Sequence, residues 1–178
     1  MQRLDELRKF VQTKCLLDGE QQRLPRKDGQ AFGWLFDLRR VSSHSKYLET
    51  VADYFWQVYK DYWPFQLAGI AVSGVPLATA IMLFAPVPVT SVIIRQVRKN
   101  YGTCRIIEGE LDHSKPVVLV DDTLGSGETF KAARAELASE GLEVCSIFTI
   151  MDLGKHLGGV HRVSMFNPLD FGKTPDHG

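Results

Sequence analysis

Apolar residues first recur at helical spacing. Leu4, Leu7, Val11 and Cys15 share one face, which predicts an opening amphipathic helix stopped by Asp18-Gly19. Residues 21–33 are polar and turn-rich, and residues 34–38 read as a short strand. Leu48, Val51, Ala52, Phe55, Val58, Tyr59 and Tyr62 then mark a long amphipathic helix. From there the period changes. Residues 67–72 form a short apolar run, followed by the turn Ser73-Gly74-Val75-Pro76. Residues 77–84 predict an apolar helix and residues 91–94 a strand. Residues 96–114 are polar and unpatterned. Residues 116–120 are a pure β-type run that ends on Asp121-Asp122. Residues 128–140 predict a helix, with Gly141 just past its end. Residues 144–150 and 163–166 give two more strands.

Strand–helix–strand alternation with continuous apolar strands predicts an α/β fold, a parallel sheet covered on both faces. Ligands of such sheets sit outside the carboxyl ends of the strands. That rule points at Ser73-Gly74, at Arg95 onward, and at residues 121–129. The expected organisation is a single domain over residues 1–178. Residues 1–64 form a small hood with the N-terminal helices, and residues 65–178 form the core sheet.

Composition narrows the function classes. Lys+Arg and Asp+Glu both total 21, so the net charge is +0 and nothing suggests a general grip on nucleic acid or an anionic membrane. A hydrophobic fraction of 44% with 24% charged residues is that of a soluble globular chain. Cys15, Cys104 and Cys145 are dispersed and form no CxxC, so they read as reduced thiols of a cytoplasmic protein. The five histidines have no zinc-type spacing, and neither a signal peptide nor a membrane span is expected.

The chemistry concentrates between Val117 and Thr129. A buried strand delivers Asp121 and Asp122 to its carboxyl end, expected to be exposed, and a loop with two glycines and two hydroxyls precedes a helix. Glycines let the backbone approach a ligand closely. Free amides at a helix N-terminus, with the Ser126 and Thr129 hydroxyls, suit a phosphate dianion. The acids suit sugar hydroxyls or a hydrated Mg²⁺, so both are candidate metal ligands. The loop has neither the Gly-Lys-Ser/Thr ending of a Walker A sequence nor the GxGxxG fingerprint.

The segment Asp121-Asp122-Thr123-Leu124-Gly125-Ser126-Gly127-Glu128-Thr129 resembles the phosphoribosyl pyrophosphate (PRPP) motif of type I phosphoribosyltransferases. Further likeness points to the orotate phosphoribosyltransferases. Pro25-Arg26-Lys27-Asp28-Gly29 followed by Trp34-Leu35-Phe36-Asp37 is similar to their hood, and Gly74-Val75-Pro76-Leu77 and Val163-Ser164-Met165-Phe166 are similar to their turn and tail. The resemblance implies the type I fold with a small hood. It implies transfer of ribose 5-phosphate from PRPP to a nucleobase-like acceptor, with pyrophosphate released and Mg²⁺ as cofactor. Asp121 and Asp122 would hold the ribose hydroxyls and residues 123–129 the 5-phosphate. Ser73, Gly74 and Arg95 would meet the pyrophosphate. Lys27, Phe36, Asp37 and Leu153 would face the base.

A mobile loop, residues 96–108, is expected to close over the site. Arg95-Gln96-Val97-Arg98-Lys99-Asn100-Tyr101-Gly102 is similar to the cationic stretch that the orotate enzymes lend to a neighbouring subunit, which implies catalytic duty for Arg98 and Lys99 and a homodimer. Four positions depart from that pattern. Ser73 replaces a Lys beside the pyrophosphate, Leu153 replaces an Arg that meets the substrate, Gln96 replaces a Lys and Tyr101 a His. Leu153 points to an acceptor other than orotate. Together the four also keep open a weak or inactive PRPP-binding regulator, or a subunit working with a partner chain. Trp56, Tyr59, Tyr62 and Trp63 read as helix packing, Arg39-Arg40 as a surface pair, and His156 and His161 as residues without catalytic duty.

Overall fold

A computed structural model describes residues 2–19, 24, 33–97, 105–154 and 158–174. The β-type runs pair into a six-stranded sheet. In chain order its strands are β3 (Gln66–Ile70), β4 (Ser91–Ile94), β5 (Ile107–Glu108), β6 (Val117–Leu124), β7 (Val144–Asp152) and β8 (His161–Phe166), arranged β5-β4-β3-β6-β7-β8. Every neighbouring pair is parallel except β4 and the edge strand β5. The chain builds outward from β3 through β4 to β5, then returns to the other flank of β3 for β6. The order therefore reverses between β3 and β6, the crevice where open α/β sheets take their ligands.

Three helices flank the sheet: α2 (Ser45–Tyr59), α3 (Gly74–Leu83) and α4 (Glu128–Ser139). Side chains alternate along each strand, so one sequence feeds two cores. Val118 and Val120 join Phe55, Leu77 and Ile81 on the α2–α3 face. Val117 and Leu119 join Phe130, Ala133 and Leu137 on the α4 face. Phe55 is fully buried, with its ring against Tyr59, Phe65 and Phe148, and so fastens α2 to β7. Buried Gln66 is satisfied: its amide donates to the Asp112 and Lys115 carbonyls and accepts from the Asp112 N–H.

The hood is α1 (Gln2–Phe10), a wider π-type turn at Val11–Cys15, and strand β1 (Leu16–Asp18) paired antiparallel with β2 (Trp34–Phe36). Leu7, Val11, Cys15 and Phe36 share the core on the α2–α3 face. The opening helix thus stops at Cys15 and not at Asp18. Leu16 and Leu17 find partners in Phe36 and Leu35, a pairing that local periodicity cannot reveal. The stretch expected to be unpatterned contains β5, where Ile107 is buried against β4. The third correction matters most: β6 runs past the acids to Leu124, and Thr123 and Leu124 pair with Met151 and Asp152. Trp56 and Tyr59 are core residues as expected, while Tyr62 and Trp63 are exposed. Among the described residues, no helix is long and apolar enough to cross a membrane.

Because Phe55 is fully buried and reaches off its helix to Phe65 and Phe148, Phe55→Ala is expected to cost about 3–5 kcal/mol of unfolding free energy. Urea denaturation followed by tryptophan fluorescence measures this. A loss below about 1 kcal/mol would mean that the site collapses around the cavity.

Candidate functional site

The carboxyl ends of β3 and β6 meet at the reversal point, and glycines set how closely they meet. A Cβ on Gly69 would lie 2.8 Å from the Gly74 carbonyl oxygen, and one on Gly74 would collide with the Val120 carbonyl. The turn at residues 71–73 therefore lies directly against the strand that carries the acids. The Ala71–Val72 peptide in this turn is cis. Ser73, at the start of α3, hydrogen-bonds the Asp122 carboxylate.

The acid pair is not at an exposed strand end. Asp121 is only 8% exposed and Asp122 is half-buried. The Asp122 N–H donates to Asp121 Oδ1 at 2.9 Å, which fixes the Asp121 carboxylate beside its neighbour. Burial raises the pKa of Asp121, and the Asp122 charge raises it further. Burial also raises Asp122, opposed by hydrogen bonds from Ser73, Asp121 and the Thr123 N–H and by the nearby charge of Arg39. Two adjacent carboxyls short of water and counter-charge favour retaining a proton. Ligand hydroxyls or a cation would relieve both penalties.

Beyond β6 the chain turns through Gly125, Ser126 and Gly127 into α4. Gly127 sits at φ 81°, a left-handed conformation suited to glycine, and its carbonyl accepts from the Lys131 N–H at 2.9 Å. The first amides of α4 are left without intrahelical partners and face the loop. Ser126 and Thr129 are exposed, and among the described residues neither hydroxyl has a protein partner. Glu128 pairs with Lys131 at 2.7 Å. Leu124 is a correction within the expected phosphate set: its side chain is 1% exposed and belongs to the α4-face core. Only its backbone serves the site edge, where its carbonyl accepts from the Leu153 N–H at 2.9 Å.

The remaining sequence candidates divide. Arg95 stands at the end of β4 with Nη1 3.3 Å from Glu108 Oε1, while its buried Nε has no partner among the described residues. Leu153 is half-buried and packs on the α2–α3-face core, next to the end of β6. Phe36 spends its ring on Trp34 and Phe171, at 5.4 and 5.2 Å. Asp37 binds Arg39 Nε at 2.9 Å and Arg40 Nε at 3.2 Å. Lys27, Arg98, Lys99 and Tyr101 lie outside the described residues, as does His156. His161 is at the opposite end of the sheet, where Ser146 joins it to Tyr59. Arg39 and Arg40 read as a surface pair and are one, both exposed and both held by Asp37, with the Arg39 charge the last of the influences that lower the Asp122 pKa.

The domain model for the phosphoribosyl transferase domain matches residues 39–163. The chain belongs to this phosphoribosyltransferase family. The orotate phosphoribosyltransferase of Methanocaldococcus jannaschii is 30% identical over 124 residues, covering 70% of this chain and 69% of that protein. Among solved structures, a phosphoribosyltransferase from Corynebacterium diphtheriae superposes with a TM-score of 0.80 at 22% identity, covering 97% of this chain and 100% of that one. The orotate phosphoribosyltransferase of Mycobacterium tuberculosis, solved in complex with PRPP, gives 0.78 at 22% identity, covering 96% and 99%. The fold is thus that of type I phosphoribosyltransferases, within the orotate-enzyme-like group.

A pH dependence follows from the acid pair. The folded-state pKa of Asp121 lies above its unfolded value, so between the two the native state binds the extra proton. Stability therefore falls as pH rises through that window. Asp121→Asn removes the titration while keeping an acceptor for the Asp122 N–H. The ligand-free variant is expected to gain stability over the parent at about pH 8 and to gain less at about pH 5. Urea unfolding at both pH values tests this, and an equal difference at both would contradict it.

Proposed function

We propose that this protein binds PRPP in the crevice between β3 and β6 and transfers its ribose 5-phosphate to a nucleobase-like acceptor, releasing pyrophosphate. The observation that carries the reading is the Asp121–Asp122 pair, buried at Asp121 and half-buried at Asp122, set between the glycine-packed turn at residues 71–74 and the amide-lined start of α4. A monophosphate fits the loop at residues 125–129, two neighbouring ribose hydroxyls fit the acid pair, and the anionic leaving group faces residues 71–74. The orphaned Nε of Arg95 is a donor for the same anion. The solved relative holding PRPP supports this reading.

In the proposed reaction an acceptor nitrogen bonds to ribose C1 as the C1–O bond to pyrophosphate breaks, and the nitrogen's proton passes to the released pyrophosphate or to water. The acids accept hydrogen bonds from the ribose hydroxyls and orient the ring. They also place negative charge near the developing oxocarbenium. The α4 amides hold the 5-phosphate, so binding energy far from C1 fixes the geometry of attack. Arg98 and Lys99 belong to the same proposal as groups that meet pyrophosphate charge, and Lys27 as a base contact. Through residues 96–108 the site would serve, or be served by, a second copy in a homodimer.

The donor set is compatible with Mg²⁺. The acids and hydroxyls offer oxygen ligands. Among the described residues no group of three or more His, Cys, Asp or Glu could cage a metal. Asp121 and Asp122 would therefore share the ion with substrate oxygens. Bound magnesium would offset pyrophosphate charge.

The acceptor is proposed to be a neutral base in preference to orotate. Leu153 places a hydrocarbon beside the end of β6, and a carboxylate facing it would forgo a charge-assisted hydrogen bond of about 1.5–3 kcal/mol. At the lower figure that is roughly tenfold in affinity.

Two measurements test the proposal. Asp121→Asn with Asp122→Asn is expected to abolish PRPP binding in calorimetry while the protein stays folded. Unchanged affinity would remove the central claim. Pyrophosphate release is then compared for orotate, uracil, hypoxanthine, guanine and adenine. Highest turnover with orotate would sink the Leu153 argument alone. PRPP binding without turnover on any base would favour a regulatory role.

A further inference from the structure

Helix α3 is apolar on two faces, and the sheet uses only one. Leu77, Ala78 and Ile81 face inward and are buried in the core shared with α2. Val75, Pro76, Thr79 and Leu83 recur at helical spacing on the opposite side, where Thr79 and Leu83 are exposed and Val75 and Pro76 half-buried. Leu83 is 73% exposed. Val72, in the turn that leads into the helix, is 82% exposed, and Phe84, just beyond the helix end, 49%. A helix that faces water carries charged and polar side chains on its outer side. This outer side carries no charge, because no Lys, Arg, Asp, Glu or His occurs between Asp61 and Arg95.

The occupant that fits this stripe is a second copy of the chain. A twofold pair sets one surface against its own image, so a charge near the axis meets a like charge, and a stripe without charge avoids that penalty. Interfaces between identical chains are also depleted of charge at their centre. A standard interface covers about 800 Å² on each side, more than one helix stripe. The uncharged chain supplies the extension, running past Phe84 into exposed Pro86 and Pro88. Residues 20–32 and 98–104 of the chain itself do not suit the stripe, since both are polar and carry charge. The surface also borders the site. The Ala71 N–H donates to the Ile94 carbonyl at 2.8 Å, so Arg95 and the chain after it leave the sheet beside the turn that opens α3.

We propose that the outer face of α3, from Val72 to Phe84, is the surface through which two copies of this chain pair. It gives the proposed homodimer a contact, and it is argued from α3 without regard to which ligand the crevice takes. The second copy covers Val72, whose backbone belongs to the turn at residues 71–74. Gly74 packs that turn against β6 from within, and the second copy closes its open side. Pairing on α3 also sets the neighbouring chain next to the start of the cationic stretch at Arg95.

The test is analytical sedimentation of the full chain without ligand across a concentration series. Thr79 is exposed in the middle of the stripe and lysine is a good helix former, so Thr79→Lys should keep the parent's circular dichroism spectrum. The parent is expected to sediment as a dimer. Thr79→Lys should raise the dimer dissociation constant by roughly a hundredfold or more, since it buries like charges against each other. Leu169→Lys adds the same charge at a 66% exposed leucine away from α3 and should stay within about twofold of the parent on that scale. A parent that stays monomeric throughout would overturn the inference and the proposed homodimer together. A parent dimer that Thr79→Lys leaves intact, or that Leu169→Lys loosens equally, would overturn the inference alone. Calorimetry with PRPP on the same samples reports on the crevice separately: a dimeric parent that fails to bind it removes the PRPP reading and leaves this surface standing.

Discussion

The site depends on one backbone contact. Gly74 lies so close to the Val120–Asp121 backbone that no side chain fits between them, and Gly69 is equally closed against Gly74. That contact brings the turn after β3 against β6 at the point where strand order reverses. Ser73 can then reach Asp122, and the crevice is lined by backbone on one wall and carboxylates on the other. A side chain at Gly74 would push the two walls apart, and the acids would lose both their hydrogen-bond partner and their burial. The helices and the hood hold this approach in place from outside.

Burial of the acids carries a consequence for energy. In the ligand-free protein two adjacent carboxyls are removed from water with few compensating groups, a local arrangement that opposes folding. The rest of the fold offsets it with an ordinary two-sided core and an aromatic cluster centred on Phe55. Strain of this electrostatic kind is what a ligand can relieve. Hydroxyl groups and cations that meet the acids regain free energy already lost on folding, so the site is preorganised for them.

Much of the core was legible along the chain because its signals are local. The β-type runs at 91–94 and 144–150 fall on β4 and β7, and the glycine at 141 follows α4 as expected. The failures share one cause: the deciding partner is distant in sequence. Leu16–Asp18 continues a helical pattern and becomes a strand only because residues 34–36 pair with it. Thr123 and Leu124 look like loop after two acids, yet β7 extends β6 through them. Ile107 sits in a polar stretch and pairs with β4 across the sheet edge. In the candidate site, the acid pair and its loop announced themselves by composition and order, but the depth of Asp121 did not.

Arg39 is the sharpest case. Adjacent arginines after a short strand have nothing in sequence to tell one from the other. Asp37 binds each through Nε, and the Lys14 carbonyl makes them unlike by taking the outer nitrogen of Arg40. One arginine becomes a strut, while its neighbour stays 71% exposed. In a chain whose total charge is zero, function rests on where single charges are held and not on their sum.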